Sequence, residues 1–115
     1  MGAGGSVAGT ITRGDIRLCP FARPDKRRQV VVLTRDSVIP YLSAVTVAPI
    51  TSTIRGVASE VQLSEADGLK GPCVVNLHNL VTVPKDWLGR RVAALSPERL
   101  EEICSALGFA LGCLC

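Results

Sequence analysis

The sequence predicts a mainly β fold: six to seven short strands in a small, strongly bent sheet or partly open barrel, with one carboxy-terminal amphipathic helix packed across it. Three observations lead there. Short apolar runs, alternating or β-branched, recur along the chain with turn residues between them. Only one segment, near the end, carries a helical apolar stripe. The chain has 115 residues, 47% of them hydrophobic, which suits one domain with its own core and excludes a second catalytic domain. Strands this short on so short a chain must curl to cover that core.

The elements follow in order. Asp15 to Cys19 alternates polar and apolar, the period of a half-buried strand. Pro20 and Pro24 bracket a polar loop that runs to Arg28. Val30-Val31-Val32-Leu33 is a β-branched run typical of a strand buried on both faces. Asp36 or Ser37 is expected to cap one helical turn limited by Pro40. Ala44 to Ile50 is the next strand, and Pro49 places its end at an edge or bulge. Thr51 to Gly56 reads as a loop, Glu60 to Leu63 as a strand, and Asp67-Gly68 and Lys70-Gly71-Pro72 as turns. Two short strands, Cys73 to Leu77 and Leu80 to Val83, are separated by His78 and Asn79. Pro84 to Trp87 forms a single turn, and Gly89 to Leu95 a last strand. The helix starts at the N-cap Ser96 with Pro97 in its first turn. Its inward stripe is Leu100, Ile103, Cys104, Leu107 and Leu111. Glu98, Arg99, Glu101 and Glu102 face water, and Gly108 or Gly112 ends it.

Met1 to Thr12 is a flexible Gly-rich leader without the basic and apolar regions of a secretory signal, and residues 13–115 form the single domain. No apolar run approaches the roughly 18–20 residues of a membrane span, so no membrane association is expected. Net charge is +3, with the positive groups crowded between Arg13 and Arg35. That excess permits an anionic partner without demanding one. The five cysteines show no C-x-x-C spacing, which points to free buried thiols and a cytoplasmic location. Cys113 and Cys115 alone would make an incomplete metal site, so neither a metal nor another cofactor is expected.

Three stretches can carry chemistry. Lys26-Arg27-Arg28 leads into the buried strand, so sheet pairing would hold the Arg28 backbone; a guanidinium fork suits a phosphate. Thr51-Ser52-Thr53 places three hydroxyls where a strand emerges. If the two strands are antiparallel neighbours, Arg28 and Thr51 converge on one rim. Asn76-Leu77-His78-Asn79 holds the single histidine, a candidate acid or base, between two asparagines able to read base edges. Each stretch also has an ordinary reading: a solvated charge run, hydroxyls satisfying a turn, a hydrogen-bonded histidine in a strand connection. No Walker loop, G-x-S-x-G elbow or Cys–His signature is present.

The run Lys26 to Arg35, with Val45 to Gly56 after it, resembles the core of the MazF/PemK toxin family. Gly14-Asp15, Pro72 to Asn76 and Leu88-Gly89-Arg90 match the family pattern too, and the similarity extends from about Arg13 to Gly112, closest to the mycobacterial-type members. The usual proline after the family's arginine is replaced by Gln29. The resemblance implies an SH3-like, PemK-type barrel, a homodimer, and a sequence-specific, metal-independent endoribonuclease. It implies that Arg28 and Thr51 are catalytic, and that single-stranded RNA is cut through a 2′,3′-cyclic phosphate to leave a 5′-OH end. It further implies a cognate MazE-like antitoxin, acidic and partly disordered. Lys26, Arg27 and Arg55 are then expected at the RNA backbone. Ser52, Thr53, Asn76, His78 and Asn79 are expected at bases or ribose, with His78 also a candidate base. The competing reading is a non-catalytic SH3-like module that binds nucleic acid or protein, a gyrase-poison-like toxin included.

Overall fold

A computed structural model describes residues 10–20 and 27–113. Among them the strands are β1 (Asp15–Pro20), β2 (Arg27–Val32), β3 (Ala44–Thr51), β4 (Glu60–Leu63), β5 (Cys73–Asn76), β6 (Val81–Pro84) and β7 (Arg91–Ala94), followed by helix α1 (Pro97–Leu111). All pairings are antiparallel, and the order across the sheet is β4-β5-β3-β2-β1-β7, with β6 also paired to β3.

The sheet curls because it is apolar on both sides. In β2, Val31 faces one core with Ile16, Ala48, Ile50, Val75 and Leu77, and α1 covers that core through Ile103 and Ala106. Val30 and Val32 face a second core with Cys19, Val45, Val47 and Val83. One uninterrupted β-branched run thus feeds two cores through the period-2 alternation of a strand. Gly14 is required where β1 begins. Its φ of +92° suits glycine, and an added Cβ would lie 3.1 Å from the Leu100 side chain of α1.

Pro49 lies within β3, which runs on to Thr51, and it marks a bulge in the facing chain. On that edge Ala44–Val47 pairs with Val81–Pro84, whereas Ile50 and Thr51 pair with Val75 and Val74. The two registers differ by three residues, and that surplus loops out around residues 76–80. Proline has no N–H for the ladder, so nothing holds the partner strand in register there. Leu77, fully buried, anchors the detour to the core.

The described residues correct several expectations. Arg17, counted in the basic cluster, is buried. It donates from Nε to Asp15 Oδ2 (3.1 Å), from Nη1 to the Gly89 carbonyl (3.0 Å) and from Nη2 to the Thr10 carbonyl (2.9 Å). Burial at this depth is tolerable because the fork is paired and hydrogen-bonded. The turn after β2 is a 3-10 turn, Ile39–Tyr41, with Val38 at its N-cap and no side-chain cap. Asp36 accepts instead from the Arg13 amide at 2.6 Å, and Pro40 starts the turn rather than limiting it. Ser96 does cap α1, accepting from the Arg99 amide, and Gly112 closes it at φ +73°.

Leu111 is largely exposed, whereas Ala110 beside it packs against the core. Arg99 leaves the solvated face and pairs with Asp67 across 2.9 Å, tying α1 to a 3-10 turn at Glu65–Asp67. Cys19 and Cys73 are free and buried and Cys113 is free and exposed, but Cys104 is disulfide-bonded. Bridging depends on Cα separation in space, which sequence spacing does not reveal. Of the expected leader, residues 1–9 lie outside the described residues; Ile11 packs on the second core and the Thr12 amide donates to Asp15.

Candidate active site

Strand pairing decides where the two principal candidates sit. The β2–β3 register sets Val32 opposite Val47, Val31 opposite Ala48 and Val30 opposite Pro49. The paired residues end at Val30 and Pro49; Arg28 and Thr51 lie two residues beyond them, still inside β2 and β3, with Arg28 opposite Cys19 of β1 and Thr51 opposite Val74 of β5. Alternation puts Arg28 on the face of Val30 and Val32, and Thr51 on the face of Val45 and Val47. Those four valines share one core, so the guanidinium and the hydroxyl stem from the same face where the core gives way to solvent.

Arg28 is exposed and Thr51 half-buried. Thr51 Oγ1 accepts from the Thr53 amide at 3.2 Å, which leaves its own O–H able to donate. Gln29 lies in β2 opposite Leu18, so ladder pairing restrains the backbone where the family carries a proline.

The other candidates fall into two loops and one outlier. Ser52, Thr53 and Arg55 are exposed on the loop that leaves β3. Its far end is gathered by Glu60, whose Oε1 accepts from the amides of Arg55 (3.1 Å) and Gly56 (2.9 Å). Asn76, His78 and Asn79 occupy the detour beside Pro49. Asn76 Oδ1 accepts from the His78 amide, and the Asn76 carbonyl accepts from the Asn79 amide. The His78 ring is hydrogen-bonded through Nδ1 to Ser59 Oγ at 2.5 Å. Asn76 shares the Thr51 face, about two residue steps along the neighbouring strand, or roughly 7 Å.

Arg27 stands apart. Alternation turns it to the face opposite Arg28, and its Nη1 lies 3.9 Å from where a Cβ on Gly89 would sit. Lys26 lies outside the described residues. Among the described residues no group of three or more His, Cys, Asp or Glu side chains is arranged to hold a metal ion.

Sequence reasoning missed Ser59 and Glu60, which hold the two loops, and no local motif marks them. It also missed the Asp15–Arg17 pair, for which a signal existed: opposite charges two apart on a strand share a face.

A small antiparallel sheet curled under one terminal helix is the frame of a known toxin class. Residues 12–111 match the family of PemK-like, MazF-like toxins of type II toxin-antitoxin systems, and the chain belongs to that family. Among curated proteins it is 44% identical over 90 residues to Endoribonuclease MazF3 of Mycobacterium tuberculosis, covering 78% of this chain and 87% of that one. It is 42% identical over 93 residues to the probable endoribonuclease MazF2 of the same organism, covering 80% and 91%. Among solved structures it resembles the Mycobacterium tuberculosis toxin MazF-mt6, with a TM-score of 0.80, 39% identity and coverage of 88% and 99%. It also resembles a mycobacterial endoribonuclease in complex with its cognate antitoxin, with a TM-score of 0.80, 25% identity and coverage of 89% and 95%.

Proposed function

We propose that this chain is a toxin endoribonuclease of the MazF kind that cuts single-stranded RNA at Arg28 and Thr51. Their position two residues past the last β2–β3 pair, on the face that strand alternation assigns to both, supports the reading. Family membership and the names of the mycobacterial relatives support it.

The chemistry suits the groups. The ribose 2′-oxygen attacks the adjacent phosphorus, the bond to the 5′ oxygen breaks, and a 2′,3′-cyclic phosphate and a 5′-OH end result. Negative charge grows on the phosphate oxygens in the transition state. Arg28 neutralises it with a planar fork, Thr51 adds a hydrogen bond, and such preorganised donors supply much of the rate. The 2′-OH proton leaves to a base, for which His78 is the candidate on the neighbouring loop. Arg28, always protonated, hydrogen-bonds the leaving oxygen rather than accepting a proton, and solvent water supplies the proton that completes the 5′-OH. The attacking oxygen belongs to the substrate, so the mechanism calls for no metal-activated water.

Ser52, Thr53, Arg55, Asn76, His78 and Asn79 serve as RNA contacts. The protein works as a homodimer in the cytoplasm, where its RNA substrates lie. A MazE-like antitoxin neutralises it by laying an acidic, partly disordered segment over the exposed arginines. A relative solved with its cognate antitoxin supports that partner.

The test is incubation with a long single-stranded RNA and a chelator. Discrete fragments with 5′-OH ends are expected, and Arg28→Ala should slow their appearance by about 100- to 1000-fold. RNA left intact by the wild type would favour the binding-module reading; wild-type rates in Arg28→Ala would remove the site assignment.

A further inference from the structure

The two loops that carry six of the proposed RNA contacts have one origin of order. Both are fastened to one dipeptide, Ser59 in the turn before β4 and Glu60 at its first position. Ser59 is buried, and its carbonyl accepts from the Leu77 amide at 2.9 Å while its hydroxyl meets the His78 ring. Glu60 opens β4 opposite Asn76. Its carboxylate gathers the Arg55 and Gly56 amides, and its own amide donates to the Val57 carbonyl at 3.0 Å.

We infer that Ser59 and Glu60 are positioning residues for RNA selection: one dipeptide clamps the Ser52–Arg55 loop and the Asn76–Asn79 loop in a fixed mutual arrangement beside Thr51. The inference rests on the nuclease reading and deepens it. Neither side chain belongs to the Arg28–Thr51 pair, so each acts through the loops it holds.

Three physical points support the clamp. The 76–80 detour lacks ladder bonds to β3 at Pro49, so its shape depends on what lies on its other side, and Ser59 supplies two bonds there. Gly56 has a φ of +75°, a turn that by itself does not fix the direction of the preceding residues; a carboxylate accepting two successive amides does. Bonding through Nδ1 also sets the orientation of the His78 ring and leaves Nε2 as the nitrogen available to a substrate.

The clamp predicts a loss of selection in both variants. RNA recognition by hydrogen bonds needs donors and acceptors held at set positions, and a loosened loop weakens binding of the preferred sequence most.

The experiment maps cleavage of one long single-stranded RNA by the full chain. Wild type is compared with Ser59→Ala, Glu60→Ala and the conservative variants Ser59→Thr and Glu60→Gln, which keep a hydroxyl and an acceptor oxygen. Expected for Glu60→Ala are a KM about tenfold higher at the wild-type sites, a kcat within about threefold, and about tenfold poorer discrimination against other phosphodiesters; Ser59→Ala, which also frees the ring of the candidate base His78, should show the same rise in KM and loss of discrimination together with a lower kcat. The conservative variants should recover most of that discrimination. Faster hydrogen exchange at the Arg55 and Gly56 amides in Glu60→Ala is expected alongside an intact folded core. Alanine variants that cut the same sites with the same KM would overturn the clamp, as would an equal loss of rate at every site with KM unchanged. A wild type that leaves the RNA intact would overturn the nuclease reading itself, an outcome distinct from variants that match an active wild type.

Discussion

Arg28 and Arg17 show how differently one residue type behaves eleven positions apart. Arg28 stands in solvent with its fork unburied, suited to a phosphate; Arg17 is sealed against Asp15 and two carbonyls and contributes nothing to the surface field. Arg28→Lys keeps the charge but loses the bidentate geometry, so cleavage should slow by about tenfold or more, against the larger loss in Arg28→Ala, in single-turnover assays. Arg17→Met leaves the Asp15 carboxylate buried without its main partner and should destabilise by about 3–5 kcal/mol in urea titrations. The cysteines divide in the same way. Burial pushes the Cys19 and Cys73 thiols above the usual range, with the Asp67 charge adding to the effect at Cys73. Less thiolate and less access both slow attack. Iodoacetamide under native conditions should therefore label exposed Cys113 first, and Cys19 and Cys73 only after unfolding.

Helix α1 is held at its first turn by more than apolar packing. Ser96 caps it, and Arg99 crosses to Asp67, donating from Nε (2.9 Å) and Nη2 (3.2 Å), while the Ser64 amide donates to the same carboxylate. The Arg99 hydrogen bond, helped by the Ser64 amide and the guanidinium charge, holds the Asp67 carboxyl below its ordinary value against the opposing cost of burial. A depressed folded-state value stabilises the fold above the unfolded pKa of about 3.9, and that contribution disappears as pH falls through the folded value. Asp67→Asn should thus cost about 1–3 kcal/mol at pH 7 and flatten the loss of stability on acidification below about pH 4, as read by urea unfolding at pH 7 and pH 3. Ser96→Ala should cost about 1 kcal/mol at both pH values, because its hydroxyl does not titrate there.

Across the whole molecule, the count of 13 lysines and arginines overstates the free basic surface. Arg17 is buried, Arg13 donates to the Leu33 carbonyl at 3.2 Å, and Arg99 is paired. Arg28 and Arg55 remain exposed on or beside the candidate face, with Arg27 turned away from it. RNA binding should therefore weaken with salt on a shallow slope. Each lost phosphate contact on a single strand is worth about 0.7 in log K against log salt. Arg55→Gln should lower the slope by about that amount in filter-binding titrations, and Arg17→Met should leave it unchanged wherever the variant stays folded.

The strands, the terminal helix with its Ser96 cap and Gly112 stop, and the residue types of the candidate site were legible in the sequence, because each is written in local periodicity or local chemistry. Placing Arg28 on the same face as Thr51 required knowing which strands pair and in what register. That depends on how Val30 to Val32 divide between two cores, a choice made only when the sheet curls. The fate of Arg17, the pairing of Arg99 with Asp67 and the anchoring of two loops on Ser59 and Glu60 were likewise decided by tertiary structure. Each joins chain segments whose separation in sequence says nothing of their distance in space.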